Sequence, residues 1–121
     1  MLLVAGIGYA VQAATGIAFA VPLVACALIA IFEETLWRWA VPTILIRSGI
    51  SPAGAITISS LAFGVAHFNG LPPGVLGVVL TCGFALLSFW LIRVSGSLLP
   101  SICVHAVIDM ALIMPLSGYG I

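Results

Sequence analysis

Long apolar runs fill almost the whole sequence and are separated only by short stretches rich in glycine, proline and serine, at RSGISPAG, FNGLPPG and RVSGS. A run of about 20 apolar residues matches the ~30 Å hydrocarbon core of a bilayer, in which only helices and closed barrels satisfy their backbone hydrogen bonds. Charged residues make up 5% of the 121 positions, too few to cover the surface of a soluble domain. The sequence therefore predicts an all-α fold, a polytopic bundle of membrane helices.

The breaks divide the chain into about five predicted membrane segments. They lie at about residues 2–19, 21–47, 52–67, 73–94 and 98–116. At 1.5 Å per residue the second segment would measure roughly 40 Å and should tilt or project from the membrane, whereas the third is short for a full span. Small residues on the fourth, Gly77, Thr81 and Ala85, predict close packing against another helix. No repeat divides the chain, so we expect one membrane domain over residues 1–121.

The orientation of the bundle depends on arginine, because the chain has no lysine. Arg47 and Arg93 lie near the ends of the second and fourth segments, which connectivity puts on one side of a bundle. The positive-inside rule makes that side cytoplasmic, and the N-terminus would then lie there too.

Charge and cysteine content exclude several classes of function. The net charge is zero and the few charges are scattered, so there is no basic patch for nucleic acid. The cysteines, Cys26, Cys82 and Cys103, lie far apart and form no CxxC pair, so neither a disulfide framework nor a zinc knuckle is indicated. We therefore expect membrane lipid to surround the chain.

Acidic and imidazole side chains fall inside the predicted helices rather than in loops. They are Glu33, Glu34, His67, His105 and Asp109. An ionisable group at bilayer depth costs about 2.5–3.5 kcal/mol, so such groups normally face a partner or a wet cavity. Counted from the helix ends on one side of the membrane, Glu33, His67 and Asp109 lie at a similar depth of about 16–22 Å. The sequence predicts a buried polar site.

Helical spacing gives this polar site further order. Glu34 and Arg38 are four residues apart and share a helix face, so we expect them to pair. Glu33 is rotated by about 100° from Glu34 and points elsewhere. The same four-residue spacing relates Phe63 to His67, and His105 to Asp109, so each imidazole has a neighbour that can wall or orient it.

Three motifs on successive helices resemble those of a known family. EETLWR, FGVAH and HAVID resemble, in order, the EExxxR, FxxxH and HxxxN/D motifs of the CPBP family. These membrane proteases include the CAAX prenyl endopeptidases and relatives linked to bacteriocin immunity. The resemblance covers about residues 25–116, the core of the family, and extends to the run GSLLPSICVHAVID. Family members often have additional helices upstream, so the chain is either a minimal member or a fragment.

The resemblance implies that the chain hydrolyses a peptide bond in a membrane-associated protein or peptide. It also implies that the chain is an integral protein of a bacterial or archaeal cell membrane. A carboxylate beside an imidazole can position water and take its proton, and donors on a third helix can stabilise an oxyanion. We expect Glu33 as the general base, with His67 helping to activate the water. His105 and Asp109 would form the oxyanion side. Glu34, Arg38 and Phe63 would support these residues.

The same side chains allow other interpretations. Glu33, His67, His105 and Asp109 are an acceptable ligand set for zinc, although HExxH is absent. The resemblance to prenyl endopeptidases favours a mechanism without a metal or other cofactor. A non-catalytic immunity factor or scaffold could keep the fold, but loss of a motif would then be expected. Each polar pair could also be structural, as an ion-pair cluster around Arg38, a histidine bonded to loop carbonyls, or a hydrogen bond between packed helices.

Asp109 occupies the position where the prenyl endopeptidases usually carry Asn. An ionised carboxylate has no proton to donate, so Asp109 must be neutral or must act differently. Burial raises a carboxyl pKa, and a neutral Asp109 could donate a hydrogen bond as Asn does. The alternative is an ionised Asp109 that fixes the tautomer or the charge of His105. We favour the neutral donor.

Overall fold

The structure, a computed structural model, describes residues 20–113, all of them in helices or in the short turns between helices. The elements in chain order are α1 (Ala20–Glu34), a π segment (Thr35–Ala40), α2 (Val41–Arg47), α3 (Pro52–Ala66), α4 (Val75–Ser95) and α5 (Leu99–Ile113). The prediction of an all-α fold is confirmed for this part of the chain. The predicted segment at residues 2–19 falls outside the described residues.

The segment predicted at residues 21–47 corresponds to α1, the π segment and α2, which follow one another without a break. The fourth segment begins at Val75, two residues later than predicted, because Gly74 has φ 77° and stays outside the helix. By length and composition, α4 is the helix in the described range that could cross a membrane, with a mean hydropathy of 2.4. Pro52–Ala66 and Leu99–Leu112 are apolar but shorter. The expected number of membrane segments and their orientation stay predictions.

The π segment has a cause in the local sequence. The Val41 N–H donates to the Leu36 carbonyl, five residues back, rather than to the Trp37 carbonyl. The next residue, Pro42, has no N–H, so neither position 41 nor position 42 donates to the Trp37 carbonyl. The hydroxyl of Ser59, a fully buried residue on α3, donates to this carbonyl instead. A side chain from another helix thus satisfies a backbone group that the π segment leaves open.

The fold divides into two compact units. One comprises Phe32–Ser101, and the described residues of the other are 20–31 and 102–113. Within Phe32–Ser101, α3 packs against α4, α2 and the π segment. The unit of residues 20–31 and 102–113 contains Cys26 and Ala30, both buried.

Glycine allows close packing at two places in the unit Phe32–Ser101. A Cβ at Gly64 on α3 would overlap the sulfur of Cys82 and lie 2.9 Å from the Val78 carbonyl oxygen, so α3 and α4 can approach only with glycine here. A Cβ at Gly77 would overlap the carbonyl oxygen of Pro72. Gly77 was expected to receive another helix, but it receives the turn that follows α3, and it thereby helps to place that turn.

Candidate active site

The structure brings Glu33 and His67 together within the unit Phe32–Ser101. Glu33 lies in the last turn of α1, and His67 caps the C-terminal end of α3. The distance between Glu33 Oε2 and His67 Nε2 is 3.6 Å. The two side chains are 21% and 22% exposed, respectively, so the pair is partly shielded, and the Oε2 atom of Glu33 is itself buried. This pair has the composition expected for activation of water, a carboxylate next to an imidazole.

Backbone and aromatic contacts hold the ring of His67. Its Nδ1 lies 2.8 Å from the Phe63 carbonyl oxygen. A carbonyl only accepts hydrogen bonds, so Nδ1 carries the proton and donates it. The ring also packs on Phe63, with 4.5 Å between the ring centroids. In the neutral imidazole, Nε2 is then the acceptor nitrogen, and it is this nitrogen that faces Glu33.

Glu34 and Arg38 form the ion pair that their spacing predicts. Arg38 Nη2 lies 3.2 Å from Glu34 Oε1, and both side chains are fully buried. The other carboxylate oxygen of Glu34, Oε2, accepts a hydrogen bond from the hydroxyl of Ser101 in the first turn of α5. The Glu34 carboxylate is therefore held at both oxygens, by groups from two different elements.

An aromatic enclosure surrounds the guanidinium of Arg38. The central carbon of the group lies 4.2 Å from the ring centroid of Phe63, 5.7 Å from that of Phe84 and 5.8 Å from that of Phe89. A cation over an aromatic face gains about 0.5–2 kcal/mol, with the larger values where water is excluded. The rings thus compensate in part for the loss of hydration that burial imposes on Arg38.

Ser59, Phe84, Phe89 and Ser101 contribute to this site and were not identified from the sequence. Phe84 and Phe89 lie in an apolar helix, where aromatic residues are ordinary packing residues, so nothing distinguished them. Ser101 precedes His105 by four residues, and this spacing was the available signal. For the π segment, the corresponding signal was a proline, Pro42, inside a predicted helix. A proline has no N–H to donate, so a backbone carbonyl there requires another donor, which Ser59 provides.

His105 and Asp109 lie on α5, one turn apart, in the unit that contains residues 102–113. His105 Nε2 is 3.7 Å from Asp109 Oδ1, which is ion-pair range for a protonated imidazole and too long for a direct hydrogen bond. Their side chains are 6% and 10% exposed. The distance is compatible with either role considered for Asp109. A cavity shared by this pair with Glu33 and His67 remains a prediction.

The zinc alternative can be compared with the arrangement of ligand-type side chains. Across residues 20–113, no group of three or more His, Cys, Asp and Glu side chains is arranged to hold a metal ion. Glu33 and His67 supply one oxygen and one nitrogen, whereas a catalytic zinc site usually has three protein ligands.

The chain matches the model of a known protein family. A family model described as type II CAAX prenyl endopeptidase Rce1-like matches residues 15–111, most of the chain. The matched range contains EETLWR, FGVAH and HAVID, the three motifs on which the resemblance rests. No curated protein and no solved structure matches the chain.

Proposed function

The chain belongs to the Rce1-like family of type II CAAX prenyl endopeptidases, which are membrane-embedded peptide hydrolases, and on this premise we propose that it cleaves its substrate with a water molecule activated by Glu33 and His67. The substrate is a membrane-associated protein or peptide, as the family implies. The observation that carries the proposal is the 3.6 Å distance between Glu33 Oε2 and His67 Nε2, with His67 Nδ1 donating to a backbone carbonyl.

The geometry of this pair suits a water that donates both of its protons. Glu33 Oε2 and the neutral His67 Nε2 are both acceptors, so at 3.6 Å they do not bond to each other without an added proton. A water about 2.8 Å from each acceptor can donate one hydrogen bond to the carboxylate and one to the imidazole. Its lone pairs then face away from the pair, toward a carbonyl carbon of the substrate.

The reaction proceeds by addition and elimination. The water oxygen forms a bond to the carbonyl carbon, its proton passes to Glu33, and the carbonyl electron pair moves to the oxygen. Hydrogen-bond donors stabilise this oxyanion, the role that the sequence predicts for His105 and Asp109. Glu33 then gives the proton to the amide nitrogen, the carbon–nitrogen bond breaks, and a carboxylic acid and an amine leave.

Adjacent carboxylates take separate roles in this proposal. Arg38 and Ser101 hold Glu34, which offsets the charge of Arg38 inside the apolar bundle. Glu33 Oε2 lies 3.6 Å from His67 Nε2, and part of the Glu33 side chain is exposed. We assign positioning to Glu34 and Arg38, and proton transfer to Glu33.

No step of this mechanism uses a metal ion. Support for a metal-free reaction comes from the chemistry of the Glu33–His67 pair, which provides both a base and a second acceptor for water. Activity after complete chelation tests this part of the proposal.

The test of the function is a comparison of membranes that contain the wild-type protein with membranes that contain Glu33→Gln. We expect new protein or peptide termini with the wild type that are absent with the variant. A synthetic membrane-associated peptide that spans one of these termini then serves as the substrate for purified protein. Termini next to a prenylated cysteine would identify a CAAX substrate, and termini in small exported peptides would identify the other class. Identical sets of termini with both proteins would contradict the proposed function.

A further inference from the structure

The buried hydroxyl of Ser101 lies outside the three motifs and contacts Glu34, an acidic residue of the first motif. Ser101 Oγ donates a hydrogen bond to Glu34 Oε2, across 67 positions of sequence. Both residues are fully buried. A hydroxyl hydrogen bond to a carboxylate is among the stronger hydrogen bonds in proteins, and burial strengthens it further.

The position of Glu34 makes this bond relevant to the reaction. Glu34 ends α1, immediately before the π segment, and its chain neighbour is Glu33. Arg38 holds one oxygen of Glu34 from the same helix, which fixes a rotamer but not the position of that helix in the fold. Ser101 holds the other oxygen from α5, a separate element, and so ties the backbone that carries Glu33 to a second point.

We propose that Ser101 is a positioning residue for the hydrolysis: by holding Glu34 it keeps the adjacent Glu33 at its working distance from His67. The inference rests on the function proposed above. A displacement of about 1 Å at a reacting group can reduce the rate by about 10²-fold, so a single distant hydroxyl is enough to matter.

Ser88 on α4 provides a matched control. It is also fully buried in a helix of the unit Phe32–Ser101, and its hydroxyl has no hydrogen-bond partner among the described residues. Ser88→Ala and Ser101→Ala therefore remove the same buried hydroxyl, and only Ser101→Ala removes a bond to the carboxylate. Any general effect of replacing a buried serine appears in both variants.

The experiment measures kcat and KM for cleavage of the synthetic peptide. The proteins compared are wild type, Glu33→Gln, Ser101→Ala, Ser101→Thr, Ser101→Cys and Ser88→Ala. Thermal unfolding checks that each of them is folded. We expect Ser101→Ala to lower kcat by about 10–100-fold with KM within about threefold, the pattern of a lost transition-state interaction. Ser101→Thr, which restores the hydroxyl, should return kcat to within about fivefold of wild type. Ser88→Ala should stay within about twofold of wild type.

Ser101→Cys keeps the size of the side chain and weakens the donor, so it tests the hydrogen bond if Ser101→Ala does not fold. Its kcat should fall below that of wild type. Wild-type kcat in folded Ser101→Ala or Ser101→Cys would overturn the inference, as would an equal loss in Ser88→Ala or no recovery in Ser101→Thr. If the wild type and Glu33→Gln cleave the peptide equally, the proposed function itself has failed. If the wild type cleaves the peptide far faster than Glu33→Gln and Ser101→Ala cleaves it at the wild-type rate, the proposed function stands. Only the positioning role of Ser101 is then refuted.

Discussion

Replacement of Arg38 by Met tests the buried ion pair in the unit Phe32–Ser101. Both side chains of the Glu34–Arg38 pair are fully buried at 3.2 Å, so Arg38→Met removes the ion-pair partner of a carboxylate that water does not reach. Loss of one member of a buried pair costs about 3–5 kcal/mol of unfolding free energy. Met roughly matches the length of the aliphatic part of Arg, but it loses the cation–π contact with Phe63 at 4.2 Å, which contributes to the same loss.

The double variant Glu34→Gln with Arg38→Met separates the charge from the packing. It removes both charges, and Gln still offers an oxygen to the hydroxyl of Ser101. Replacement of both members of a buried pair is far less costly than removal of one, so the double variant should be at least about 2 kcal/mol more stable than Arg38→Met alone.

The assay is equilibrium unfolding in detergent micelles, followed by circular dichroism. Arg47→Met is the matched control, because Arg47 is exposed at the end of α2, and it should change the unfolding free energy by less than about 0.5 kcal/mol. Arg38→Met within 1 kcal/mol of wild type, about a fivefold change in the unfolding equilibrium, would refute this account of the pair. So would a double variant no more stable than Arg38→Met.

Three further predictions concern the π segment, the oxyanion side and the metal. Ser59→Ala leaves the Trp37 carbonyl without its side-chain donor and should lower stability by about 1–3 kcal/mol, whereas Ser60→Ala, the adjacent buried serine, should have a much smaller effect in the same unfolding assay. If Asp109 is a neutral donor, Asp109→Asn should keep the rate of peptide cleavage within about tenfold of wild type, whereas Asp109→Ala should lower this rate by about 10²-fold or more. If folded Asp109→Asn is as inactive as Glu33→Gln, the negative charge of Asp109 is required. Exhaustive chelation should leave cleavage unchanged, and activity lost to a chelator and regained with zinc would establish the metal mechanism instead.

Features that depend on neighbouring residues along the chain were predictable from the sequence. Ser51 caps α3 by accepting from the Gly54 N–H at 3.2 Å, and Pro52 occupies the first helical position, as the local sequence indicates. The pairing of Glu34 with Arg38 follows from four-residue spacing, because a helical turn brings such residues together whatever the rest of the fold does.

Contacts across the fold were not predictable in the same way. The sequence offers several phenylalanines in apolar helices, and no local rule selects Phe84 or Phe89 as the ones that reach Arg38. The four-residue spacing of Ser101 and His105 places Ser101 on the same helix face as His105, but it does not show that the Ser101 hydroxyl reaches Glu34. The bond from His67 Nδ1 to the Phe63 carbonyl was missed for another reason, because helical periodicity relates side chains to one another and says little of a side chain that turns back to the backbone.

The rate of cleavage of the synthetic peptide by purified Glu33→Gln, relative to wild type, tests the central claim most directly. Gln keeps the shape of Glu33 and cannot take a proton from water, so kcat should fall by about 10²–10⁴-fold, the range for loss of a general base. KM should stay within about threefold, because the substrate is bound before the proton moves. Folded Glu33→Gln that cleaves the same bond at the wild-type rate would contradict the assignment of Glu33 as the base.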